Sequence, residues 1–327
     1  MVSVSREYRP PMFSLCRSRH FPFVLFIGIS LILQRAAFAN DYIAIADQAS
    51  GDPRIRVMDY TQTNWGSDNR SAVIWSWEPS DSGIGLDGWG LPNDARLRNN
   101  RVWGGQCVAI LDGHGRLAVV SYPAKVKKWS INVGPKDNVH GIELLPDGNV
   151  AVAASTGGWV RLYAASQGES SSTYVTYNLP DAHNVLWDPR RQVLWALGQN
   201  KLVQLRVRGT SAAPTLTLVA TTILPKGGGH DLEPKYGDTN ILWITTASST
   251  WTYNKTTDTA TLYQNIRGIK SINNQSSTGQ VIETSPHTSC KQNSWCTDII
   301  DFFSPPDIRT RPGAAIYRAR VWNPDYQ

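Results

Sequence analysis

Three histidines, His140, His183 and His230, each open a short apolar stretch that runs into a turn rich in Asp, Gly or Pro. Gln106 and Lys270 open similar stretches before and after them. Imidazole can take or give a proton near neutral pH and can ligate a metal. Three neutral imidazoles with an amide oxygen suit one divalent metal (Mn, Zn or Ca) with a coordination position left open. The ammonium of a lysine beside them would pair with a substrate carboxylate. His140, His183, His230 and Lys270 are therefore the catalytic candidates, and His140, His183, His230 and Gln106 the metal-ligand candidates.

The elements that must position these residues repeat. His140-Gly-Ile-Glu-Leu-Leu-Pro-Asp-Gly148 leads into Val150–Ala154 and Trp159–Tyr163, His183 into Val193–Leu197, and His230 into Ile241–Thr245. Weaker copies start at Gln106 and Lys270. Short strands recurring about every forty residues mean one four-stranded antiparallel sheet per copy, stacked radially on its neighbours. The predicted fold is all-β, a single six-bladed β-propeller. Seven blades would need a further strand pair in the insertion Ser80–Val102, which reads as Gly, Asp and Pro only. Pairing the C-terminal strand Ala315–Trp322 with the N-terminal copy would close the ring and remove an open edge.

In such a ring the repeat starts face one mouth of the channel, so Gln106, His140, His183, His230 and Lys270 should meet there. The plain alternative is that they tie the blades together through channel water. The insertion around Asp87–Arg96 is expected over the mouth, with Trp89 and Trp103 stacking on a ligand or wedged between blades, and Asp94 and Arg96 as a binding clamp or a local ion pair. Trp187, Trp195 and Trp243 read as blade core. Glu143 and Glu233 follow a repeat-start His by three residues, and strand alternation is expected to turn them away from it.

Composition narrows the class further. The chain has 327 residues, 18% charged, with 26 Gly and 13 Trp, which excludes a coiled coil or a charged helical bundle. Its net charge of +6 includes five Arg in residues 1–39, leaving 27 basic against 25 acidic residues beyond them. No basic cluster remains to support nucleic-acid binding. Residues 1–39 read as a signal peptide: basic residues, the apolar run Phe21–Leu33, then Ala37-Phe-Ala39. The expected product is residues 40–327 as one domain, secreted or in the secretory lumen, monomeric and without a membrane span. Sequons at Asn69, Asn254 and Asn274 and a local disulfide Cys290–Cys296 fit that route, with Cys107 as a buried thiol.

Asp41-Tyr-Ile-Ala-Ile-Ala-Asp-Gln48, Arg54–Asp59 and Asn93-Asp-Ala-Arg96 resemble a family of secreted β-propellers of unknown function in bacteria and fungi. At the level of fold the chain is similar to six-bladed gluconolactonase and NHL-type propellers, without the acidic metal-ligand pattern of the former. The axial set alone resembles that of oligogalacturonate lyases, which implies manganese held by three His and one Gln. Those enzymes have seven blades and draw several ligands from one segment. The chemistry implied is removal of a uronate C5 proton, with Lys270 or Arg96 neutralising the carboxylate. The leading expectation is thus a lyase or hydrolase acting on an acidic oligosaccharide at the channel mouth. A secondary-metabolite cyclase of the hetero-Diels–Alderase kind, which such propellers resemble, and a non-catalytic glycan- or protein-binding propeller are the alternatives. Phosphate loops, nucleophile elbows and His-Glu-x-x-His are absent from the sequence.

Overall fold

The computed structural model describes residues 42–66 and 68–327. The signal-peptide reading of residues 1–39 lies outside them. Strands from Val150 to Ala154 and from Val193 to Leu197 are buried along their whole length. That is why they are continuous apolar runs: each is covered on both faces by neighbouring sheets. Outer strands such as Tyr174–Asn178 alternate exposed and half-buried residues, since one face meets solvent.

Six four-stranded antiparallel sheets result. Helix among the described residues is confined to four short 3-10 segments, and no helix there is long and apolar enough to cross a membrane. The inner strands, numbered by blade, are Ile316–Val321 (blade 1), Pro92–Asn100 (2), Val139–Leu144 (3), Asn184–Asp188 (4), Asp231–Pro234 (5) and Ser271–Asn274 (6). Blade 1 is closed as expected. Ile316–Val321 pairs antiparallel with Ile43–Asp47, with Val321 opposite Ile43.

One assignment shifts by a strand. Gln106 lies near the start of the second strand of blade 2, opposite Asn99 at the far end of the inner strand, and so is not a repeat start. The true inner strand is Pro92–Asn100, inside the insertion that seemed to hold no strand. Its Asp94, Arg96 and Arg98 meet ionic partners on other blades and alternate with Ala95 and Leu97, which pack in the seam with blade 1, so the strand reads as polar and its short alternation is easily passed over.

Between adjacent sheets lie apolar clusters, each anchored by aromatic rings. Trp129 and Trp159 pack between blades 2 and 3, Trp187 between 3 and 4, and Trp195 between 4 and 5. The seam between blades 5 and 6 is thinner, with Trp243, Ile272 and Val281. Trp89 and Trp103 also belong to such seams and not to the mouth. Trp89 stands edge-on to Trp77 and donates to the carbonyl of Pro53, while Trp103 donates to that of Gly148.

The Cys290–Cys296 disulfide forms, with Cα atoms 5.8 Å apart, and Cys107 is a buried free thiol. The Asn274 sequon is corrected. Its amide is 2% exposed, donates to the carbonyl of Tyr236 and accepts from the Trp243 indole, leaving no room for a glycan. Asn69 and Asn254 are half-buried at turns.

Candidate functional site

Each blade contributes one side chain to the upper mouth of the channel: Tyr317, Asn93, His140, His183, His230 and Lys270, in blade order. With Gln48 and Trp295 among the other walls, they line a cavity of about 430 Å³. The shared backbone register explains the equivalence. The amides of His183, His230 and Lys270 each donate to the second strand of their own blade, at Leu197, Thr245 and Thr284. Each of these three residues immediately precedes the inner strand, so it rims the channel instead of lying within the sheet.

The rings crowd together. His183 lies 4.6 Å from His140 and 4.9 Å from His230 between ring centroids, and Tyr317 lies 6.0 Å from His140. His140 Nδ1 is 2.9 Å from the carbonyl of Asn138, and His183 Nδ1 is 3.0 Å from that of Asp181. A carbonyl only accepts, so the proton sits on Nδ1 and the lone pair of Nε2 is left open. His230 Nε2 meets the Tyr317 hydroxyl at 3.0 Å, and its Nδ1 is buried without a partner among the described residues.

Charge below the ring explains its protonation. Arg318, fully buried, donates to the backbone carbonyls of His140, His183 and His230. Burial first, then the neighbouring His183, Arg318 and Lys270, drives the pKa of His140 and His230 well below the ordinary histidine value. Burial lowers His183 too, against the opposing pull of Asp181. Burial and Arg318 lower Lys270, whose ammonium has no hydrogen-bond or ion-pair partner among the described residues, and burial raises Tyr317 to about 12. The cup thus presents neutral imidazoles and a protonated phenol beside cationic side chains.

Beneath Arg318 the channel is filled by ion pairs. Arg320 grips Asp231 with both terminal nitrogens at 2.7 and 2.8 Å and reaches Asp94 at 2.9 Å. Arg96 of blade 2 pairs with Glu233 of blade 5, directly across the axis. Burial would raise Asp94, but Arg320, Arg96 and Arg318 hold it down at about 2. Gly141 leaves space for this packing, since a Cβ there would stand 2.6 Å from the Cα of Asn184. Lower still, Arg98 pairs with Glu143 at 2.8 Å, and Tyr326 covers its guanidinium. The cup therefore opens at one end.

The geometry sorts the sequence candidates. His140, His183, His230 and Lys270 converge. Gln106 does not, and Asn93 occupies its place. Asp94 and Arg96 form neither a mouth clamp nor chiefly a local pair. Their own contact is 3.7 Å, and their closer partners lie on other blades, Arg320 of the adjacent blade 1 for Asp94 and Glu233 across the axis for Arg96. Glu143 and Glu233 point inward after all, because His230 precedes its strand and a register shift between Val139 and Gly141 falls at His140, so alternation cannot be counted from either. The metal set loses Gln106, and among the described residues no three His, Cys, Asp or Glu side chains are grouped to hold an ion.

Tyr317, Asn93 and Trp295 were missed. Aligning Tyr317-Arg-Ala-Arg-Val with His230-Asp-Leu-Glu-Pro would have found the first. Trp295 leaves no repeat signal: it sits in the loop tied by Cys290–Cys296 and is held over the cup by its bond to Gln48 at 3.0 Å.

Residues 56–322 match the model of a family of unknown function, DUF6528. The chain belongs to that family. A search of curated proteins finds no match. Among solved structures, this DUF6528 member is similar to a protein of unknown function from Bacteroides caccae, 9% identical over 77% of this chain and 85% of that one, TM-score 0.47. A protein from Lactobacillus plantarum is 14% identical over 71% and 74%, TM-score 0.48. Virginiamycin B lyase from Staphylococcus aureus, in an inactive form with quinupristin, is 14% identical over 84% and 85%, TM-score 0.45. Similarity at this level transfers no activity to the DUF6528 chain.

Proposed function

We propose that this propeller is a secreted enzyme that eliminates across a carboxylate-bearing sugar unit of an acidic oligosaccharide. The observation that carries the reading is the pairing of the neutral imidazoles of His140 and His183, their Nε2 lone pairs open, with the ammonium of Lys270, unpartnered among the described residues, in one cup. Lys270 pairs with the uronate carboxylate and so acidifies the adjacent C5 proton. His183 Nε2 takes that proton, the C5–H electrons form the C4–C5 double bond, and the C4–O bond breaks. Tyr317, protonated and bonded to His230, gives a proton to the departing oxygen. Trp295 stacks on the sugar face. The observed disulfide supports an oxidising compartment.

The test is incubation with oligogalacturonates and other oligouronates while following ultraviolet absorbance of the unsaturated product. Turnover that His183→Ala abolishes supports the reading. New reducing ends without unsaturation would make the reaction hydrolysis, and no product from any oligouronate would overturn it in favour of a binding propeller.

A further inference from the structure

A second cavity of about 330 Å³ adjoins the cup and shares His183, His230 and Lys270 with it. Apart from the buried Ile269, its remaining walls are small: Gly228, Gly229, Gly268, Thr246 and Ala247, with Asp181 as the acidic side chain at its rim. At Gly228 a Cβ would approach that of Ala247 to 2.7 Å, and at Gly229 it would approach the carbonyl of Gly198 to 2.4 Å. The backbone there leaves no space for side chains, so the walls present peptide groups and the cavity stays open. Lys270, half-buried and without a partner among the described residues, stands on the boundary.

We infer that the two cavities are subsites of one elongated site, taking an anionic ligand of at least two linked units. A carboxylate seats on Lys270 at the junction, and the unit beyond it lies against the Gly228–Gly229 backbone. This rests on the proposed uronate chemistry only for the identity of the units. The N–H groups of Gly228, Gly229, Thr246, Ala247 and Gly268 already donate within the loops, so the wall offers carbonyl oxygens, which accept from sugar hydroxyls, and the shared cation fixes where the charge must fall. Asp181 disfavours a second carboxylate at the outer rim, so the far unit should meet that rim with hydroxyls.

Calorimetric titration of the full protein with galacturonate, digalacturonate and neutral cellobiose tests this. The dimer should bind at least tenfold more tightly than the monomer, and cellobiose at least tenfold more weakly than the dimer. Ala247 is exposed, so Ala247→Tyr fills the side cavity at a tolerant position, and thermal melting checks its fold. That variant should bring the monomer and dimer affinities to within about twofold of each other. Equal affinities in the wild type, or an increment that survives Ala247→Tyr, overturn the inference, as does cellobiose binding like the dimer. Binding with this pattern but without unsaturated product upholds the two subsites and sinks the elimination. Product formation indifferent to chain length and to Ala247→Tyr does the reverse.

Discussion

Arg318 Nη2 lies 3.1 Å from the backbone carbonyl of His230. The same guanidinium serves His140 and His183, so one side chain from the closing strand gathers three blades beneath the cup. It also stands 3.6 Å from both Asp94 and Asp231, which makes the site's floor and the ring closure one structure.

Replacing Arg318 by Met should therefore cost more than a lost hydrogen bond. Three carbonyls lose a donor, and two buried carboxylates lose a countercharge, a loss of about 3–5 kcal/mol for breaking a buried pair. Urea unfolding measures it. A change under about 1 kcal/mol would show that the ring does not depend on this residue.

The imidazoles of His140 and His230 should stay neutral well below the pH at which free histidine protonates. Histidines lowered in the folded state contribute stability that is full above their unfolded value, about 6.5, and is lost as pH falls through and below it. Nitrogen-15 NMR should show His140 and His183 protonated at Nδ1 alone at pH 7. Titration of either resonance near 6.5 would contradict the buried, cation-flanked environment.

The residues that were legible in sequence are those whose role repeats. His140, His183 and His230 recur because each precedes or begins an equivalent strand, and the blade cores recur because both faces of a second strand are covered. Pro92–Asn100 was hidden since its channel-facing side chains are charges satisfied by other blades, which masks the short alternation with Ala95 and Leu97. Trp295 was hidden for a different reason. Its place depends on a disulfide-tied loop outside the repeat and on the bond to Gln48 that holds it over the cup.

Trp295 is 39% exposed although it lines the cup, a surface cost that a stacked ligand would remove. Trp295→Ala should raise KM for an oligouronate roughly two- to tenfold, the range of one aromatic contact, and leave kcat nearly unchanged. A fall in kcat with constant KM would instead place the indole at the reacting bond.

Glu283 provides a pH test away from the cup. It lies in the second strand of blade 6, 1% exposed, opposite Asp301 on the next strand and accepting a hydrogen bond from Gln264 of blade 5. Burial first, with Asp301 adding to it, raises its pKa to about 7 from 4.5. The folded state then holds a proton that the unfolded chain has released, so stability falls as pH rises from about 4.5 through 7. The histidines act in the opposite sense, so wild-type stability alone would hide the effect, and the comparison with Glu283→Gln isolates it. Glutamine mimics the protonated acid and cannot ionise. The variant should match the wild type near pH 4.5 and exceed it at pH 8 by about 3 kcal/mol, the worth of such a shift. Urea unfolding at both pH values decides. An equal difference at the two would mean that Glu283 is ionised in the folded protein throughout, with Gln264 sufficient to hold its charge.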